Sequence, residues 1–377
     1  VKLRTLLLTL LLLSGLSGVT YAEFAERWYE NRMMGKTYSS MEGLGPTPVF
    51  EFYNNNPVEP EFGQQQDFKS FVDAEESFSA VIMKDGKIIF EHYNEELGAA
   101  PDFHVNAVSM TKTLTGSVIG NLLCDGSIKS LEDTAGSYSK TLQGTAYGDI
   151  TIKNLLRMAS GINENREEEK FYVHSLKNRG WGAIYENDSI EIIQLIDEKF
   201  SGQGEMSRYH ALDVIATSIL VKELTGKSVA EIFYDEFFLK MDASGSLYWM
   251  KDINDISFDV GGAYMNTRDW AKFGQFISDN INAKTCLGDF FLSGMKNSLT
   301  PSYGSSAYQK YGYYFWVQNI LGKPMIVLSG ARGMVMVINH YDNTIVTLIS
   351  VSQDDMYGDR NVRKEIAPSI VRKLNSW

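Results

Sequence analysis

Cysteine, histidine and long apolar runs are all scarce in this chain, and each scarcity excludes a class of function. Two cysteines, Cys124 and Cys286, among 377 residues cannot supply a disulfide-dense scaffold or a four-cysteine zinc site. The five histidines, His92, His104, His174, His210 and His340, are scattered, with no HExxH and no Cys-His spacing, so no metal is expected. No G-x-S-x-G elbow, P-loop or G-x-G-x-x-G fingerprint is present, and no cofactor is predicted. Basic residues are outnumbered, 35 to 47, for a net charge of −12. That balance disfavours nucleic acid and anionic membrane surfaces as partners.

Hydrophobic residues make up 44% of the chain, ample for a sizeable core. The first residues are not part of it. Lys2 and Arg4 precede the apolar run Leu6 to Leu13, and Thr20-Tyr-Ala22 ends the segment on a small residue. The run is well short of the roughly 20 residues a membrane span needs, so the pattern predicts a secretory signal, 1–22, cleaved after Ala22. No cysteine follows for lipid attachment. The expected product is periplasmic or secreted, has no stable membrane anchor and is more negative still, since Lys2 and Arg4 leave with the signal. Export permits a disulfide, but Cys124 falls within an apolar helix and reads as a buried free thiol.

Residues 23–75 carry Asn54-Asn-Asn56, Gln64-Gln-Gln66 and several prolines, which predicts an extended arm with little regular structure. Two β-rich runs, 79–83 and 87–93, are joined by Asp85-Gly86, a hairpin signal. Helical patterns then dominate from about 106 to 300, at 109–124, 151–158, 188–199, 210–225, 228–238 and 267–279. β-rich segments return at 311–318, 325–329, 333–339 and 344–351, and an amphipathic helix closes the chain over 360–375. Strands at both ends with helices between predict an α/β (α+β) fold. One antiparallel sheet is built from distant segments and flanked by helices, with a largely helical inserted subdomain and a cleft between sheet and helices.

Within that plan, Ala107-Val-Ser-Met-Thr-Lys112 carries chemistry. Met110, Leu114, Val118, Ile119, Leu122 and Leu123 follow helical spacing, so a helix starts near Ser109. Ser109 can cap that helix. Alternatively, Lys112 lies one turn on, on the same side, where a neutral amine takes the hydroxyl proton. That role requires a lysine far from its ordinary pKa of about 10.4. Ser137-Tyr-Ser-Lys140 and Ser293-Gly-Met-Lys296 match the same pattern, but only Ser109 opens a long apolar helix, where the macrodipole favours negative charge on its oxygen.

The sequence resembles the serine β-lactamase and penicillin-recognising superfamily, in its class C and esterase-like division, over residues 76–377. The resemblance is carried by Ser109-Met-Thr-Lys112, Leu122-Leu-Cys-Asp-Gly126, Ile150-Thr-Ile-Lys-Asn-Leu-Leu156 with Ala159-Ser-Gly161, and Gly261-Gly-Ala-Tyr-Met-Asn-Thr-Arg-Asp-Trp-Ala-Lys-Phe-Gly274. Met241-Asp-Ala and Tyr248-Trp249 look most like the 6-aminohexanoate-oligomer hydrolase and carboxylesterase branch. The resemblance implies a β-lactamase-like fold and acyl transfer at Ser109. The second family motif falls on Ser207-Arg-Tyr209-His-Ala211, which makes Tyr209 the general-base candidate; many relatives carry Asn where Ala211 stands.

The third motif falls on Leu328-Ser-Gly330-Ala331, where Leu328 replaces the usual cation, a departure that counts against efficient β-lactam hydrolysis. Arg332 either compensates or is a solvated turn residue. The backbone N–H groups of Ser109 and Ala331 are the implied oxyanion hole, with Gly330 beside it. The acidic run Glu164 to Lys170 is a lid over the cleft or a solvated charge run. Trp181, Tyr185 and Trp249 are apolar walls of the cleft or core residues. The expected function is an exported serine hydrolase acting on a small ester, amide or peptide. The rivals are a β-lactamase, a D-amino-acid peptidase, or a binding protein that keeps the fold without turnover.

Overall fold

The computed structural model describes residues 49–72, 77–163, 188–303, 310–350 and 365–375. The expected signal, most of the arm, the acidic run, Trp181 and Tyr185 lie outside them. Thirteen strands are present among the described residues: β1 (Val49–Phe52), β2 (Ser77–Lys84), β3 (Lys87–Tyr93), β4 (His104–Asn106), β5 (Ser207–Arg208), β6 (Leu247–Met250), β7 (Ala263–Asn266), β8 (Pro301–Tyr303), β9 (Lys310–Tyr311), β10 (Trp316–Ile320), β11 (Lys323–Gly330), β12 (Met334–Asn339) and β13 (Thr344–Ser350). No described helix is long and apolar enough to cross a membrane.

The main sheet has seven strands in the order β3-β2-β13-β12-β11-β10-β9, and all its pairings are antiparallel. The β2–β3 hairpin turns on Asp85 (φ 50°) and Gly86 (φ 79°), the two left-handed residues that a tight hairpin of matching twist requires. Both ends of the chain meet in the β13–β2 pair, where Val346 lies opposite Ile82. Helices Thr267–Asn282 and Ala367–Leu374 pack on β12 and β13. Gly274 permits the first contact, because a Cβ there would come within 2.7 Å of Ile345 and Met336 side chains.

Two features add to the expected plan. The arm supplies a strand, since β1 pairs with β6 through Phe50 opposite Trp249, and Phe62 bridges to Ile88. Within the largely helical middle of the chain, β4, β6 and β7 join β1 in a second, four-stranded sheet. Its strands run three or four residues each, too short for a period of two to register, and their partners are distant in sequence.

Helix Thr111–Cys124 runs through the centre of the molecule and is buried on every side from Thr111 to Gly120. It packs against helix Cys286–Lys296 at Gly120, where an added Cβ would meet Phe290 and Leu287 at 2.7 and 2.9 Å. That close approach ends in a disulfide: Cys124 and Cys286 are bonded, with Cα atoms 5.8 Å apart. The expected buried thiol is thus wrong. Cys124 is the last residue of its helix, half-buried at the rim where the second helix begins. The bridge closes a separation of 162 residues, for which chain entropy alone sets a ceiling of about 5 kcal/mol. Replacing both cysteines by serine should lower stability by about 2–4 kcal/mol, read as a lower Tm. Because Lys112 lies three turns away, activity below the transition should remain within about twofold of wild type; an unchanged Tm would contradict the assignment.

Candidate active site

β4 delivers the chain to Ser109. Asn106, its last residue, accepts from the Val108 N–H through Oδ1 at 2.7 Å, and Val108 takes φ 50°, a left-handed conformation that costs a β-branched residue energy. The kink turns the chain into a single 3-10 turn, Val108–Met110, that leads directly into helix Thr111–Cys124. Ser109 therefore precedes the helix without capping it, for no side-chain cap bond is made at this end. The capping reading is excluded, and Ser109 sits half-buried at the head of a buried helix.

Lys112 is 2% exposed, and its Nζ donates to Ser109 Oγ at 2.9 Å and to the Val260 carbonyl at 2.6 Å. The same Nζ lies 5.2 Å from the centre of the Tyr209 ring. Tyr209 is held by aromatic contacts, stacked on Trp316 at 5.3 Å and edge-on to Tyr311 at 5.4 Å. Ser109 and Lys112, from one segment, and Tyr209, from another, thus converge. The competing Ser-Lys pairs do not: the Ser137 hydroxyl donates to the Thr134 carbonyl at 2.6 Å, Ser293 Oγ accepts from Asn297 Nδ2 at 3.1 Å, and Lys140 and Lys296 are exposed.

The glycine pair of the long motif explains the Val260 carbonyl. β7 pairs with β4, which brings Gly261 so close to Val108 that a Cβ would lie 3.3 Å from its carbonyl carbon. The Ala263 N–H donates to Thr111 Oγ1 at 3.3 Å. Sequence reasoning recognised Gly261-Gly262 as a family mark but missed that the carbonyl before it receives the lysine, because a backbone acceptor leaves no trace in residue identity. Asp259, one residue earlier, is sealed from solvent; burial pushes its carboxyl up to about 7. The hydroxyls of Ser218 and Ser257 approach it and moderate the shift, though neither carboxyl oxygen has a partner in hydrogen-bond geometry.

On the facing sheet, Gly330 ends β11 against the Ala107 carbonyl, where a Cβ would come within 2.3 Å. Only glycine fits there. Ala331 and Arg332 follow in the 3-10 turn Ala331–Gly333. Leu328 is 1% exposed and opposite Met336 on β12, so the residue expected at the cation position belongs to the core. Trp249 also belongs to the core: it is fully buried and edge-on to Phe233. It lines no cleft, because β6 is an inner strand of the small sheet and turns this side chain inward.

A family model described as Beta-lactamase matches residues 65–367. The chain belongs to the beta-lactamase family. Within the family, a 6-aminohexanoate-dimer hydrolase of Paenarthrobacter ureafaciens is 23% identical over 205 residues, which cover 53% of this chain and 51% of that protein. The chain thus spans about half the length of that curated relative. A Bacillus anthracis structure assigned as a 6-aminohexanoate-dimer hydrolase superimposes with a TM-score of 0.76 at 19% identity, over 92% of this chain and 96% of that one. A family VIII carboxylesterase gives 0.62 at 15% identity over 81% and 98%. A D-stereospecific amidohydrolase from Streptomyces sp. gives 0.59 at 15% identity over 81% and 97%. These likenesses establish the beta-lactamase fold.

Proposed function

We propose that this beta-lactamase family member is an exported serine hydrolase that cleaves an ester or amide bond through an acyl-enzyme at Ser109. The observation that carries this reading is the buried contact of Lys112 Nζ with Ser109 Oγ at 2.9 Å. Lys112 and Tyr209 take the Ser109 proton as Oγ attacks the carbonyl carbon, and pass it to the leaving alcohol or amine as the scissile bond breaks. The same pair then takes a proton from the water that attacks the acyl-enzyme, and returns it to Ser109 Oγ as the acid is released. Backbone N–H groups of Ser109 and Ala331 stabilise the oxyanion, a role supported by the tight approach of Gly330 to Ala107. The names of its relatives, among them a dimer hydrolase, a carboxylesterase and an amidohydrolase, favour a small ester, amide or peptide substrate. Cleavage after Ala22 would release the protein to the periplasm or medium, a setting in which the Cys124–Cys286 bond is stable.

The test is labelling with a fluorophosphonate probe followed by peptide mapping. The adduct is expected on Ser109; a label elsewhere, or none on protein that turns over ester, overturns the reading. Substrate preference follows from Leu328. A desolvated charge-assisted hydrogen bond to a β-lactam carboxylate is worth roughly 1.5–3 kcal/mol, or about one to two orders of magnitude in rate, and Leu328 offers none. We therefore expect kcat/KM for p-nitrophenyl butyrate to exceed that for nitrocefin. The opposite order would refute the reading of Leu328, and collapse of nitrocefin turnover in Arg332→Ala would identify Arg332 as the replacement cation.

A further inference from the structure

Beside Tyr209 lies a buried polar cluster that the chemistry above does not use. Its centre is Asp213, which is wholly inaccessible to solvent. Asp213 Oδ1 accepts from the Tyr147 hydroxyl at 3.0 Å. Its Oδ2 lies 3.4 Å from His210 Nε2, with both side chains sealed, a close polar contact outside hydrogen-bond geometry. The main-chain carbonyl of Asp213 accepts from Tyr314 Oη and from Thr217 Oγ1, each at 2.9 Å. The Tyr314 carbonyl in turn accepts from Thr113 Oγ1 at 2.8 Å. Since Thr113 follows Lys112 and His210 follows Tyr209, the cluster ties together the two segments that must converge for proton transfer.

The entry to helix Leu212–Thr225 shows why a couple is needed here. Its N-cap position is Ala211, which has no side chain to bond the free N–H groups of the first turn, so this end of the helix lacks a side-chain cap. The His210–Asp213 contact spans that first turn instead. The aromatic stack on Trp316 constrains the Tyr209 ring, while the Met158 carbonyl accepts from the Arg208 N–H at 2.8 Å and its Sδ from the His210 N–H at 3.4 Å, so the couple adds a side-chain tie to a segment already anchored on its N-terminal side.

We propose that His210 and Asp213 form a buried positioning couple that holds the Tyr209 segment in register with Lys112 and Ser109. The inference rests on Tyr209 being a proton carrier, and neither member of the couple touches substrate. Supporting partners of this kind typically change rates by about 10–100-fold when removed, because small displacements of a reacting group are costly.

The test is kcat and KM for p-nitrophenyl butyrate, with Tm, in His210→Leu, His210→Gln, Tyr209→Phe and the Tyr209→Phe/His210→Leu double variant. His210→Leu should lose about 10–100-fold in kcat with KM within about twofold. His210→Gln should retain more, because its amide N–H can still face Asp213. In the Tyr209→Phe background His210→Leu should cause no further loss, the non-additivity expected of residues acting through one group. If His210→Leu does not fold, Asp213→Asn and His210→Gln carry the same comparison. A near wild-type kcat with lowered Tm in His210→Leu, or full additivity in the double variant, would overturn the couple while leaving the proposed activity standing. Tyr209→Phe at the wild-type rate would overturn the role of Tyr209 and the couple with it.

Discussion

Alanine at Ser109 should abolish ester hydrolysis and fluorophosphonate labelling while leaving the fold intact. Loss of a nucleophile that acts in concert with its base typically costs more than about four orders of magnitude in kcat, the largest effect expected of any single change here. The fold should survive because Ser109 makes no capping bond and is only half-buried. The Lys112 amine also keeps its bond to the Val260 carbonyl at 2.6 Å. The check is activity together with Tm and far-ultraviolet circular dichroism. Residual hydrolysis above about 1% of wild type, in protein free of contaminating esterase, would remove Ser109 from the mechanism. Loss of folding would instead assign it a structural role.

The second largest effect is expected at Lys112. General-base assistance contributes roughly 10²–10⁴-fold, and in the proposed mechanism the same amine both receives and returns the proton, so Lys112→Met should fall at the upper end of that range. Methionine also leaves the buried Val260 carbonyl without its partner, a loss of about 1–3 kcal/mol, so the variant must be assayed below its own Tm. Lys112→Arg separates the two ways a lysine could act. Arginine stays protonated at any accessible pH, so it preserves positive charge beside Ser109 but cannot take a proton. Activity in Lys112→Arg within tenfold of wild type would mean that Lys112 serves as a fixed cation. Inactivity in both variants, with the fold preserved, is the outcome required of a base.

Much of the architecture was legible in the chain because long elements carry their own periodicity. The hairpin at Asp85-Gly86, the helix after Ser109 and the terminal strands all register locally, and Ser109 and Lys112 share one helical turn, so their approach needed no tertiary information. Tyr209 was legible only through the resemblance carried by its motif. The four-stranded sheet was not legible, since three- and four-residue strands show no repeat. The disulfide was missed because Cys124 continues an apolar helical pattern, and only the close approach of a second helix at Gly120 brings Cys286 to it.

The sequence by itself determined the sheet built from both ends of the chain, the serine and its lysine, and the absence of a cation at Leu328, because these reside in residue identity and short-range spacing. Only the tertiary structure decided that Val260 offers its carbonyl to Lys112, that Trp249 is core and not cleft wall, and that Asp213 and His210 are sealed together next to Tyr209. Each of these depends on which distant backbone or side chain fills the space around a group. The sequence does not specify that until the sheets close and water is expelled.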